Sequence, residues 1–114
     1  MNAKRQACIE LLGTAADLRT RVANTAMYGG EILDRLAEIR SSTADVQVNA
    51  AKVSFLESKL VESAGSLAQA AADLAAEAIT NTNTSTGVMI APSFTAFDAA
   101  VEKFKSEAIG NEVK

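Results

Sequence analysis

Ile32, Ile39, Val46, Val53, Leu60, Leu67 and Leu74 recur at steps of seven through the middle of this chain. A seven-residue repeat held in phase marks a helix that lays an apolar stripe on another helix. The stretch from Glu31 to Ile79 contains no proline and one glycine, Gly65, so nothing in it forbids a single helix. Such a helix would be roughly 74 Å long at ~1.5 Å per residue. A compact domain of this size has a radius of gyration of roughly 13 Å. A helix of that length cannot bury itself in a simple globule, so the expected architecture is elongated and partner subunits are expected to cover part of it.

The stripe has internal structure. Val46, Val53, Leu60, Leu67 and Leu74 run beside Ala50, Glu57, Ala64, Ala71 and Ala78. Leucine layers alternating with alanine layers let helix backbones approach closely. Glu57 interrupts the alanine layer, as the end of one contact, a register-fixing polar group, a partner for a basic residue or a solvent-facing edge. Val48, Phe55 and Val61 lie off both stripes, which predicts a second buried face. Ser41-Ser42-Thr43 is the soft point: Ser42 and Asp45 resemble a capping box, and a break there would leave helices of about 31–40 and 43–79. The heptad phase runs through it from Ile39 to Val46, so continuity is the expectation.

On either side the chain remains helical. Residues 3–28 carry Cys8, Leu11, Ala15, Leu18 and Val22 at seam spacing, widened by Ile9, Leu12 and Ala16. Gly29-Gly30 suits a left-handed cap and a chain reversal. Glu31 and Asp34 fall in the next first turn, and Glu31 and Arg35 are spaced for an i, i+4 pair. Residues 80–87, TNTNTSTG, read as a polar linker. Val88-Met89-Ile90-Ala91 is a short strand or an extended strip on the helices. A last helix over 93–109 begins with Thr95 and Asp98 as a capping pair and ends at Gly110, before a polar GNEVK tail. Its seam is Phe94, Phe97, Val101, Phe104 and Ala108, with three of the chain's four phenylalanines on one face.

The predicted fold is therefore all-α. It is an elongated, coiled-coil-like bundle of three helices, 3–28, 31–79 and 93–109, with a polar linker at 80–87. One structural unit is expected: a hairpin over 1–79, a linker and apolar strip over 80–92, and a C-terminal helix and tail over 93–114. The first helix folds back on the first half of the spine, and the Phe-bearing helix on the second half.

Composition bears on chemistry. There is no histidine, which removes the commonest general base and metal ligand. No Walker or dinucleotide-binding glycine pattern occurs. Acid pairs such as Asp34 and Glu38 sit at helical spacing on a charged face without the Glu-x-x-His of bundle metal sites. The net charge of −3 argues against a general nucleic-acid binder. Residues 1–28 are net basic and residues 31–79 net acidic, which favours their pairing if the charges are more than solvated faces. Cys8 is the only cysteine, so no intrachain disulfide forms, and it fits a small apolar role in its helix. No leader-like segment and no membrane-length apolar run occurs, so a cytoplasmic protein, or one assembled there into a particle, is expected.

The expected function is non-enzymatic, without cofactor or metal: a helical structural or assembly protein that oligomerises through its heptads. A subunit of a larger particle such as a virion or secretion assembly would suit it. Val46, Val53, Leu60, Leu67, Leu74, Phe94, Phe97, Val101 and Phe104 are the candidate interface. The alternative is a small adaptor or inhibitor that binds another protein through Phe94, Phe97 and Phe104 or through Tyr28 at the hairpin tip.

Overall fold

The computed structural model describes residues 2–113. Helix α1 spans Ala3–Tyr28 and α2 spans Ile32–Leu56; a 3-10 turn, Ser58–Leu60, leads into α3 over Val61–Thr80. Strands β1 (Thr82–Asn83) and β2 (Val88–Met89) form a hairpin, and α4 spans Thr95–Val113. Two tight reversals and the hairpin alternate the helix directions, giving an up-down-up-down bundle 51 × 22 × 17 Å in extent. The radius of gyration is 14.8 Å.

Four helices stand where three were expected, because the spine folds in two. Helix α2 runs through Ser41–Thr43 without interruption and stops at Leu56. Glu57 is extended, with φ −141° and ψ 99°. It starts the next turn twice over: its Oε1 accepts from the Lys59 N–H at 3.2 Å, and its carbonyl accepts from the Leu60 N–H at 3.0 Å. Lys4 Nζ reaches its other carboxylate oxygen at 3.3 Å. Folding back lets the Leu/Ala stripe of α3 bury against the stripe of α2 in the same chain. Val53 and Leu60, seven residues apart across the break, are both buried, so the heptad phase survives the corner.

The core is built from these stripes. Helix α1 buries Ala7, Leu11, Ala15, Leu18, Val22 and Thr25; Cys8 and Leu12 are half-buried, whereas Ile9 and Ala16, expected to widen the seam, face outward. Helix α2 contributes Ile32, Leu36, Ile39, Ser42, Val46, Ala50 and Val53. Helix α3 buries Ala64, Leu67, Ala71, Leu74, Ala75 and Ala78. Its alanines leave room for Phe97 and Phe104 of α4, which join the same cluster. A fully buried Phe or Leu contributes about 1.5–3 kcal/mol, and this aliphatic core closes within one chain. Partner subunits are not needed to cover it.

Several local expectations change with tertiary context. Ser42 does not cap a helix; its hydroxyl donates to Asp17 Oδ2 at 3.1 Å. Arg35 reaches Glu38 at 3.8 Å rather than Glu31. The expected linker is ordered as a hairpin, Thr82 pairing with Met89 and Asn83 with Val88. Asn83 Oδ1 accepts from the N–H groups of Ser85 and Thr86, and Gly87 closes the loop at φ +71°. Met89 plugs into the core while Val88 and Ile90 stay exposed. Thr95 is already helical, with Ser93 Oγ accepting its N–H, and Asp98 is spent elsewhere. Helix α4 runs through Gly110 to Val113, because tail residues that need not cap can continue a helix. Lys114, the end of the expected tail, lies outside the described residues.

Candidate interaction surface

Charged side chains tie the bundle together from outside. Arg19 Nε and Nη2 donate to the two Asp98 oxygens at 2.8 and 3.1 Å, joining α1 to α4. The same guanidinium lies 4.3 Å from the Phe94 ring centroid. Arg21 Nε donates to Asp17 at 2.8 Å and its Nη1 to Glu38 at 3.1 Å, joining α1 to α2. Lys52 of α2 approaches Glu10 of α1 at 3.7 Å. Cross-helix pairs thus include Lys4–Glu57, Arg21–Glu38 and Arg19–Asp98, each with its base on the net-basic first helix.

The titration shifts follow these pairs. The Arg21 hydrogen bond holds the Asp17 carboxyl below the usual carboxylate range, with Ser42 adding to it and burial opposing. Arg19 does the same for Asp98. Glu57 is lowered chiefly by the Lys59 backbone N–H and then by Lys4. Arg19 and Arg21 are raised by the same carboxylates. Each shift has a structural partner. They are the signatures of ion pairs; Glu57 also borders a cleft, where the Lys59 N–H and Lys4 hold its carboxylate ionised.

Among the described residues, no group of three or more His, Cys, Asp or Glu side chains is placed to hold a metal ion. No buried side-chain nitrogen or oxygen among them lacks a hydrogen-bond partner. Among the described residues, no helix is long and apolar enough to cross a membrane.

The nine nominated interface residues are placed as follows. Val46, Val53, Leu60, Leu67, Leu74, Phe97 and Phe104 are buried inside the chain. Phe94 and Val101 are half-buried, Phe94 under Arg19. Seven of the nine are thus covered by the chain's own helices. Tyr28 is 75 % exposed at the bundle tip, beside Met27. There Gly29 lies against the hairpin: a Cβ on it would sit 3.2 Å from the Gly87 carbonyl oxygen.

A line of apolar residues on α2 is left uncovered by the chain. At about 100° per residue, Ala44, Val48, Ala51 and Phe55 point away from Val46, Ala50 and Val53. All four are exposed, Phe55 at 88 %. The second buried face expected at Val48, Phe55 and Val61 is thus open in the single chain, because the fold at Glu57 supplies neighbours only to the inner face. Charged residues are absent from this outer line, with Asp45 and Lys52 flanking it. A groove of about 540 Å³ runs between this line and Ala3 and Ala7 of α1. The signal was present in the sequence as a second pair of heptad series, Ala44 with Ala51 and Val48 with Phe55.

A second cleft, about 440 Å³, opens between the N-terminal half of α1 and the end of α4, where Cys8, Ile9, Leu60 and Ile109 meet Lys4, Arg5 and Lys105.

Compared with protein-family models, with curated proteins and with solved structures, the chain matches none.

Proposed function

We propose that this protein is a non-enzymatic helical building block that self-associates into a larger assembly, its internal heptads spent on folding and its outer surface on contact. The observation that carries this reading is that α2 is apolar on two opposite faces, only one of which the chain covers. A helix that needed one neighbour would carry polar residues on the other side. The absence of histidine from the sequence is consistent with a role in assembly rather than chemistry. A small subunit of a particle of virion or secretion type fits this description.

The test is the mass in solution by sedimentation, across micromolar to millimolar chain. The reading predicts a mass that rises above 11.9 kDa with concentration while helix content stays constant. A monomer over the whole range overturns it.

A second reading is an adaptor, favoured by the tip. Met27, Tyr28, Val88 and Ile90 are exposed on two reversals that Gly29 and Gly87 bring together. The Phe face is not part of it, since Phe97 and Phe104 are buried. That reading predicts a monomer whose partner is lost when Tyr28 and Met27 are replaced by serine.

A further inference from the structure

We infer that the outer face of α2 pairs with the same face of a second copy in antiparallel orientation, Phe55 of each copy seated over Ala44 of the other. This rests on the assembly reading above and specifies its contact. The outer line alternates small and large: Ala44, Val48, Ala51, Phe55. Laid against itself in the opposite direction, the line sets Phe55 on Ala44, Val48 on Ala51, and the reciprocal pairs by two-fold symmetry. Every large side chain then meets a small one, the condition for close helix packing. Laid parallel and in register, Phe55 would meet Phe55 and alanine would meet alanine.

Charge points to the same arrangement. Asp45 and Lys52 lie on one flank of the line, the flank facing α1. In an antiparallel pair like flanks face each other, so Asp45 of each copy meets Lys52 of the other. Lys52 already approaches Glu10 at 3.7 Å, and the second carboxylate extends that pair across the dyad. The groove beside Ala3 and Ala7 widens the platform, letting α1 of each copy border the contact. Phe55, the most exposed large apolar side chain, becomes the anchor at each end of the contact.

Cysteine cross-linking in a Cys8→Ala background tests the orientation while leaving the apolar line intact. Asp45→Cys and Lys52→Cys chains are oxidised separately and mixed, alongside sedimentation of the unaltered protein. The pairing predicts a disulfide-linked dimer in the mixture and little in either variant alone. In this register identical positions are displaced by nine residues at 45 and by five at 52, about 13.5 and 7.5 Å along the axis, beyond the ~7 Å that a disulfide spans between Cα atoms, whereas 45 and 52 of the two copies are displaced by two residues, about 3 Å. Cross-links between identical positions as strong as those in the mixture would contradict this register and overturn the inference. An assembling protein that forms no cross-link also overturns it but leaves the assembly reading standing. A protein that is monomeric at every concentration overturns both.

Discussion

Glu57 shows how a single side chain decides a corner. Its residue type is compatible with a helix, and neither glycine nor proline stands near it. It turns the chain because its carboxylate and carbonyl serve the next turn and because Lys4 waits beside it. The same residue-level logic gives a pH dependence. Asp17, Asp98 and Glu57 are all more acidic in the folded chain than in the unfolded one. Their contribution is therefore complete above the unfolded carboxyl values of about 3.9–4.3 and is lost as pH falls through the lower folded values. The pairs are substantially exposed, so each is modest and screened by salt. Urea midpoints should fall between pH 5 and pH 2, more steeply at low ionic strength. A midpoint unchanged over that range contradicts the pairing described here.

At the scale of elements, α1 over residues 3–28 and the Gly29-Gly30 reversal follow from seam spacing and glycine alone. The inner stripe of the long segment was equally legible: each of its heptad residues from Ile32 to Leu74 is buried. What heptad phase could not convey is whether Val53 and Leu60 sit on one straight helix or on two helices facing one core. Both arrangements need the same spacing, and the choice was made by local hydrogen bonding at Glu57 and by the area gained on folding back. Ser42 and Asp98 depart from their expected roles for a related reason: local spacing offers one partner, and a neighbouring helix offers a better one. The two phenylalanine classes on α2 and α4 give a direct contrast. Phe104→Ala, in a fully buried site, should cost about 3–5 kcal/mol. Phe55→Ala, at an exposed site, should change the stability of the dilute chain by about 0.5 kcal/mol or less. Chemical denaturation of both variants at low protein concentration checks this; equal losses would mean that Phe55 is packed inside the chain.

For the whole molecule, the division of labour between the two faces of α2 is the central claim. The inner stripe folds the chain, and the outer line is the surface proposed to join chains. That division differs from the expectation from sequence, in which Leu60 and Leu67 hold subunits together, in that both are buried within the single chain. It also separates folding from association experimentally. The most direct measurement is helix content and sedimentation of Leu67→Gln and Phe55→Asp, side by side with the unaltered protein. Leu67→Gln should lose helix at every concentration, since it places a polar group in the closed core. Phe55→Asp should keep its helix and sediment as a monomer where the unaltered protein is larger. A Leu67→Gln chain that stays fully helical while becoming monomeric, with Phe55→Asp unchanged in mass, would contradict the account.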